Sequence, residues 1–182
     1  MSREDVVKRL AGTFRRYGYA GASLARLSAA TGLGRASLYH HFPGGKADMA
    51  AAVVDYVRGW IRDTAFAPLH GDGAPEERLN RMILALNEIY NGGEGACFID
   101  LFSISDADAL HQSMDLMVGE FIDEFAALAG EAGLDPATAR RRGEDAVIAV
   151  QGALVVARAT RNVEPFRRVL AALPARLLAA AG

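Results

Sequence analysis

Residues 23–46 read "SLARLSAATGLGRASLYHHFPGGK", and the fold turns on how this stretch is divided. Ser23 offers an N-cap hydroxyl to a short helix carrying Leu24, Leu27 and Ala30, and Gly32 ends it where the left-handed conformation costs glycine least. After Leu33 and Gly34 a third short helix is expected from about Arg35 to His41, with Leu38 and Phe42 facing inward. The following "PGG" stops it, because proline restricts the residue before it and has no N–H to donate. Two short helices joined through a glycine turn make a helix-turn-helix. The small Ser28 lets them approach, and Leu27, Leu33 and Leu38 pin the angle between them. The outer face of the third helix is then free. Its Arg35, Ser37, Tyr39 and His40 are donors of the kinds that reach phosphates and base edges, and a helix of this size fits the major groove of duplex DNA. His40 and His41 are not read as a metal site, because neighbouring helical residues diverge by ~100° and cannot chelate together.

Working outward, Val6, Leu10, Phe14 and Tyr17 follow helical spacing, with Gly18 and Gly21 bracketing the stop. Lys46 opens a long helix reaching about Ala67, with Met49, Val53, Val57, Trp60 and Ile61 on one stripe. Pro75 followed by Glu76 and Glu77 marks another helix start, and "NGGEGA" at 91–96 breaks that helix. The segment "CFIDLFSIS" at 97–105 is expected to form a short apolar helix. A longer helix follows, with Leu110, Met114, Met117, Phe121, Phe125 and Leu128 in near-heptad order. Asp135 and Pro136 cap the next helix, and the last begins at Pro165. The predicted fold is all-α, with about nine helices: a three-helix head at 1–60, its helix-turn-helix at about 23–42, and a helical body at 61–182.

Composition supports a helical chain and narrows the function. The 182 residues are 51% hydrophobic, rich in Ala and Leu and poor in β-branched clusters. Residues 1–50 hold eight Lys/Arg against three Asp/Glu (+5), whereas 51–182 hold twelve against nineteen (−7), which together give the −2 of the whole chain. A basic end on an acidic molecule fits a polyanion-binding head on a body that must not bind the polyanion. "MSREDVVKRL" lacks the apolar core of a secretory leader, and no window reaches the ~18 apolar residues of a spanning helix, so a cytoplasmic, non-membrane protein is expected. Cys97, the single cysteine, can form no internal disulfide. The glycine pairs of "PGGK" and "NGGEG" do not follow a strand in a βαβ unit, so no nucleotide site is expected. No cofactor and no metal are predicted. An enzyme built on Cys97 with His111, or on Asp100, Asp106 and Asp108, is the weakest alternative.

The segment "GYAGASLARLSAATGLGRASLYHHFPGGKADM" resembles the N-terminal DNA-binding part of TetR-type transcriptional repressors in its Tyr17-Gly18-Tyr19 step, Ser23, Leu27, Gly32, Leu33, "ASLYHHF" and Lys46. The chain departs from that pattern at Gly34, where a capping side chain is usual, so the cap of the third helix must come from backbone or water. The resemblance implies that Ser23, Tyr39, His40 and Lys46 clamp the phosphate backbone, and that Arg26, Arg35, Ala36 and Ser37 lie nearest the bases. "GACFIDLFSIS" with "VQGALVVARATRNVEPFRRVLAALP" is similar to the C-terminal domain of the LmrA/YxaF-like branch.

From Ala146 to Ala159 almost every side chain is apolar or small, and Phe166, Val169, Leu170, Leu173, Leu177 and Leu178 give the last helix an apolar stripe. A monomer has difficulty covering both, so a homodimer is expected, with Leu154, Phe166, Leu170 and Leu173 in the interface. The large or deformable side chains Trp60, Phe66, Phe98, Phe102, Met114, Met117 and Phe121, with Asn87, Tyr90 and Gln151 as polar anchors, suggest an apolar pocket. No arginine or lysine falls on the inward stripes, so the expected effector is a small hydrophobic or aromatic molecule. The resulting expectation is a ligand-responsive regulator, a repressor, that binds a palindromic operator as a dimer. The alternative is an interaction module that has lost DNA binding.

Overall fold

A computed structural model describes residues 2–97, 99, 102 and 108–179. Among the described residues there are eight α-helices and no strand. They are α1 (Arg3–Gly21), α2 (Leu24–Thr31), α3 (Arg35–His41), α4 (Lys46–Ile61), α5 (Pro75–Ile89), α6 (Asp108–Glu131), α7 (Pro136–Thr160) and α8 (Glu164–Leu178). Most of the expected "CFIDLFSIS" helix, Phe98 included, lies outside the described residues. The chain divides into two compact units, 1–59 with 98–117 and 60–97 with 118–182. The second segment of the first unit comes from the part of the sequence read as body.

In the first unit, a reciprocal cap starts α1: the Ser2 hydroxyl accepts from the Asp5 N–H at 3.1 Å, and the Asp5 carboxylate accepts from the Ser2 N–H at 3.1 Å. The predicted stop is partial, since the helix kinks at Gly18 (φ +67°) and resumes to Gly21. Val6, Leu10 and Phe14 are fully buried, and the Phe102 ring meets Phe14 edge-on at 5.3 Å. That contact is among those that bring the 98–117 segment into this unit.

In the second unit the path after α4 changes pitch. The run expected to stay α-helical to about Ala67 becomes a π-helical turn at Arg62–Phe66 and then a 3-10 turn at Ala67–His70. This segment is tied to one stripe of α6: Arg62 pairs with Glu120, His70 with Glu124 at 3.0 Å, and Phe66 packs edge-on against Phe121 at 4.8 Å. Arg78 of α5 is buried, donates to the Leu69 carbonyl at 2.7 Å and pairs with Glu131. An arginine therefore does lie on an inward stripe, contrary to the expectation from the sequence, with its charge matched by the α6 carboxylate.

The α7 cap is as expected, the Asp135 carboxylate accepting from the N–H groups of Ala137 and Thr138 at 3.1 Å each. Hydrogen bonding by the Thr138 hydroxyl, and then by these amides, favours the ionised form and holds the Asp135 carboxyl below its ordinary value. At Gly143 a Cβ would stand 2.6 Å from the Ile122 carbonyl oxygen, so only glycine permits the approach of α7 to α6.

Candidate nucleic-acid interface

The Ser23 hydroxyl caps α2 by accepting from the Arg26 N–H at 3.4 Å, and Gly32 ends it in the left-handed region at φ +74°. The turn is held by side chains. Ser28 donates to the Leu33 carbonyl at 2.5 Å, while the Thr31 hydroxyl donates to the Leu27 carbonyl at 2.9 Å and accepts from the Leu33 N–H at 3.3 Å. Thr31 is a contributor that the sequence reading missed. Its signal was a hydroxyl one residue before the capping glycine, a position that can bond back to i−4. Gly34 starts α3 with no side-chain cap, as expected from its departure from the family pattern.

Leu38 and Phe42 anchor α3 in the core at 0% and 1% exposure. With ~100° per residue, Ala36, Ser37 and His40 then lie opposite that anchor, and Arg35 and Tyr39 sit a turn apart along one edge. All five are exposed, with Tyr39 at 43%. The Tyr39 ring is braced from behind by Gly45 (φ +73°), where a Cβ would stand 3.2 Å from Cε1. This gathers a hydroxyl, a phenol, an imidazole and a guanidinium on one convex, groove-sized surface, the donor set that phosphate and base-edge contacts require.

Two of the expected DNA contacts are already engaged within the chain. Arg26 donates to the Gly21 carbonyl at 2.6 Å and lies over the Tyr17 ring at 4.3 Å. Lys46 donates to the Tyr19 carbonyl at 2.8 Å and covers that ring at 4.4 Å. Both tie the end of α1 to a neighbouring helix start. His40 and His41 make a ring contact at 5.9 Å, and His41 is half-buried. Among the described residues no cluster of three His, Cys, Asp or Glu side chains is placed to hold a metal ion, and no helix is long and apolar enough to cross a membrane.

The residues expected to line an effector pocket are distributed between the two units. Phe102, Met114 and Met117 belong to the first; Trp60, Phe66, Asn87, Tyr90, Phe121 and Gln151 belong to the second. Asn87 and Trp60 are exposed. The buried Tyr90 hydroxyl accepts from the Gln151 amide at 3.4 Å and stands 3.9 Å from the Cys97 sulfur, a polar group inside the second unit. A cleft of about 390 Å³ in that unit is lined by Gly93, Glu94, Ala157, Arg158, Arg161 and Val163, none of which was singled out in the sequence.

The residues expected at a dimer interface are internal. Leu154, Phe166, Leu170 and Leu173 are at most 4% exposed and pack α7 against α8 within one chain. The apolar surface left uncovered on α7 is Ile148 at 69%, Val155 at 46% and Val156 at 45%. Together with the exposed Gly152 and Ala159 they form a heptad-spaced seam.

A model described as bacterial regulatory proteins of the tetR family matches residues 8–53. A second, the transcriptional regulator LmrA/YxaF-like C-terminal domain, matches 75–172. The HTH-type transcriptional regulator LmrA of Bacillus subtilis is 36% identical over 61 residues, covering 34% of this chain and 32% of that protein. The chain thus matches about a third of the length of that curated relative. A TetR transcriptional regulator from Legionella pneumophila superposes with a TM-score of 0.86 at 17% identity, covering 97% of both chains. A TetR-family regulator from Agrobacterium tumefaciens gives 0.82 at 22%, also covering 97% of both. The reduced form of E. coli NemR gives 0.80 at 18%, covering 94% of both. These likenesses show the fold, and with the two family matches to head and body the chain belongs to the tetR family of bacterial regulatory proteins, a family of regulators and not of enzymes, and carries a C-terminal domain of the LmrA/YxaF-like kind.

Proposed function

We propose that this chain is a ligand-responsive transcriptional repressor that binds a palindromic operator as a homodimer and is released by a small apolar or aromatic effector. The observation that carries the DNA-binding part is the α3 surface, where Arg35, Ala36, Ser37, Tyr39 and His40 are exposed while Leu38 and Phe42 are buried. Arg35 and Ser37 read base edges; Ser23, Tyr39 and His40 hold the phosphate backbone. Arg26 and Lys46 support this surface through their bonds to Gly21 and Tyr19 and reach DNA from those positions. The dimer seam is the outer face of α7 around Ile148, Gly152, Val155 and Ala159, and two-fold symmetry then requires an operator of two inverted half-sites. The effector reading rests on the body's apolar interior and on the Tyr90–Gln151 pair as a polar anchor, one state of the body binding the effector better than the other.

The test is fluorescence anisotropy of the full chain on duplexes tiled across the DNA flanking its own gene. A regulator of this kind binds one inverted repeat well above the rest and leaves it when aromatic compounds are titrated in. Uniform weak binding to every tile would refute the reading, and an absence of DNA binding would favour an interaction module.

A further inference from the structure

The recognition helix α3 carries a single formal positive charge outside its histidines, Arg35, so the +5 of residues 1–50 must act elsewhere. Two of its other bearers are occupied: Lys8 pairs with Glu4 at 2.8 Å, and Arg3 lies 5.2 Å above the Phe42 ring. Arg9, Arg16 and Arg26 converge instead on a cleft of about 350 Å³ between α1 and α2. Among the described residues no carboxylate lines that cleft, and none pairs with these arginines. Arg26 and Arg16 lie over the Tyr17 ring at 4.3 and 5.3 Å; one N–H of Arg26 donates to the Gly21 carbonyl at 2.6 Å and one of Arg9 to the Thr31 carbonyl at 3.4 Å, and a guanidinium, with five N–H donors, has others to offer an anion. The floor is kept open by Gly12, Ala29 and Ala30; a Cβ at Gly12 would meet nothing within 4 Å, although alanine is the better helix former.

We propose that this cleft takes the phosphodiester backbone of the same DNA duplex, outside the base pairs that α3 reads, an inference that rests on the DNA-binding reading above. The Arg16–Tyr17–Arg26 end lies where α1 gives way to α2, beside the exposed Ser23 cap, with Arg26 bonded to Gly21 in that same connection. Three uncompensated guanidinium groups on a groove match a polyanion's repeating charge. Backbone contacts of this kind add affinity and register without adding sequence preference.

The experiment measures the affinity of the full chain for its bound duplex over a range of salt. Arg16→Gln lowers the slope of log K against log salt by about 0.9, and Arg16→Gln with Arg9→Gln lowers it by about twice that. The ranking of operator variants stays unchanged, and Arg16→Lys keeps the slope. A DNA-side measurement is independent of how the variants fold: neutral methylphosphonates flanking the half-sites lower the slope of the wild-type protein by more than that of Arg16→Gln. An unchanged slope in Arg16→Gln, or a methylphosphonate effect equal in variant and wild type, overturns the proposal and leaves the cleft to an acidic partner. If the wild-type chain prefers no duplex at all, the functional reading itself fails, an outcome distinct from either of these.

Discussion

Gly92 and Gly93 offer a matched pair in which backbone strain and steric clash separate. Both follow α5 with positive φ, +64° and +101°, and the turn is closed by the Gly93 and Gly95 N–H groups donating to the Tyr90 carbonyl at 3.0 and 2.7 Å. A Cβ on Gly92 would meet nothing within 4 Å. One on Gly93 would stand 2.9 Å from Cδ1 of Phe166 and 3.2 Å from its Cβ and Cγ. Phe166 has no room to yield: it is 0% exposed and the Tyr90 ring abuts it at 6.0 Å. Gly92→Ala therefore costs only the left-handed strain, about 1 kcal/mol. Gly93→Ala, at a φ beyond the left-handed well, carries at least that strain and adds overpacking of ~1–3 kcal/mol, for a total of about 3 kcal/mol. At ~2–4 °C per kcal/mol for a chain of this size, calorimetry should show a Tm loss of about 3 °C for Gly92→Ala and about 9 °C for Gly93→Ala. Equal losses would refute the clash argument, and a smaller loss at Gly93 would mean that the turn rests differently on α8.

On the DNA side, Arg35→Ala should change the preferred base at its position by ~1–3 kcal/mol of discrimination while leaving the salt slope nearly unaltered, read by competition among operator variants. Ile148→Arg and Val155→Arg should yield a folded monomer by light scattering, because these side chains are exposed; Leu154→Ala, at 1% exposure, should instead destabilise the body by ~2–5 kcal/mol without selectively dissociating it. The Asp135 carboxyl is held below its ordinary 3.8 by the Thr138 hydroxyl first, and then by the Thr138 and Ala137 amide groups it caps. Its contribution is therefore fully present above that unfolded value and is lost as the pH falls through the lower folded one. Asp135→Asn should accordingly flatten the acid limb of the stability curve below about pH 4 and leave its slope at neutral pH unchanged, measured by urea melts across pH. A neutral-pH slope that changes in that variant would place the effect elsewhere.

The head was legible because its determinants are local. A capping hydroxyl at Ser23, a left-handed glycine at 32 and the Leu27, Leu38 and Phe42 spacing each act within a few residues of chain, and the structure reproduces them. The same holds for Pro75 and for the Asp135–Pro136 start of α7. What lay beyond reach was where long side chains go once the helices pack. Lys46 meets the carbonyl of Tyr19, 27 positions earlier, and Arg78 meets Glu131, 53 positions later. No periodicity encodes those partners.

The sequence by itself determined that the chain is helical, where the helix-turn-helix sits and which face of α3 is polar, because these follow from propensity, capping and the 3.6-residue period. Only the tertiary structure decided whose surface covers an apolar stripe. Leu154, Phe166, Leu170 and Leu173 look the same in sequence whether they face a partner or their own chain, since the hydrophobic effect is non-directional and rewards either burial. Packing α7 against α8 consumed those four and left Ile148, Val155 and Val156 outside. The same packing decided that the Tyr90 hydroxyl, buried just past the end of α5, meets Gln151 across 61 residues rather than water, because a buried polar group must find a partner and only the folded chain supplies one there.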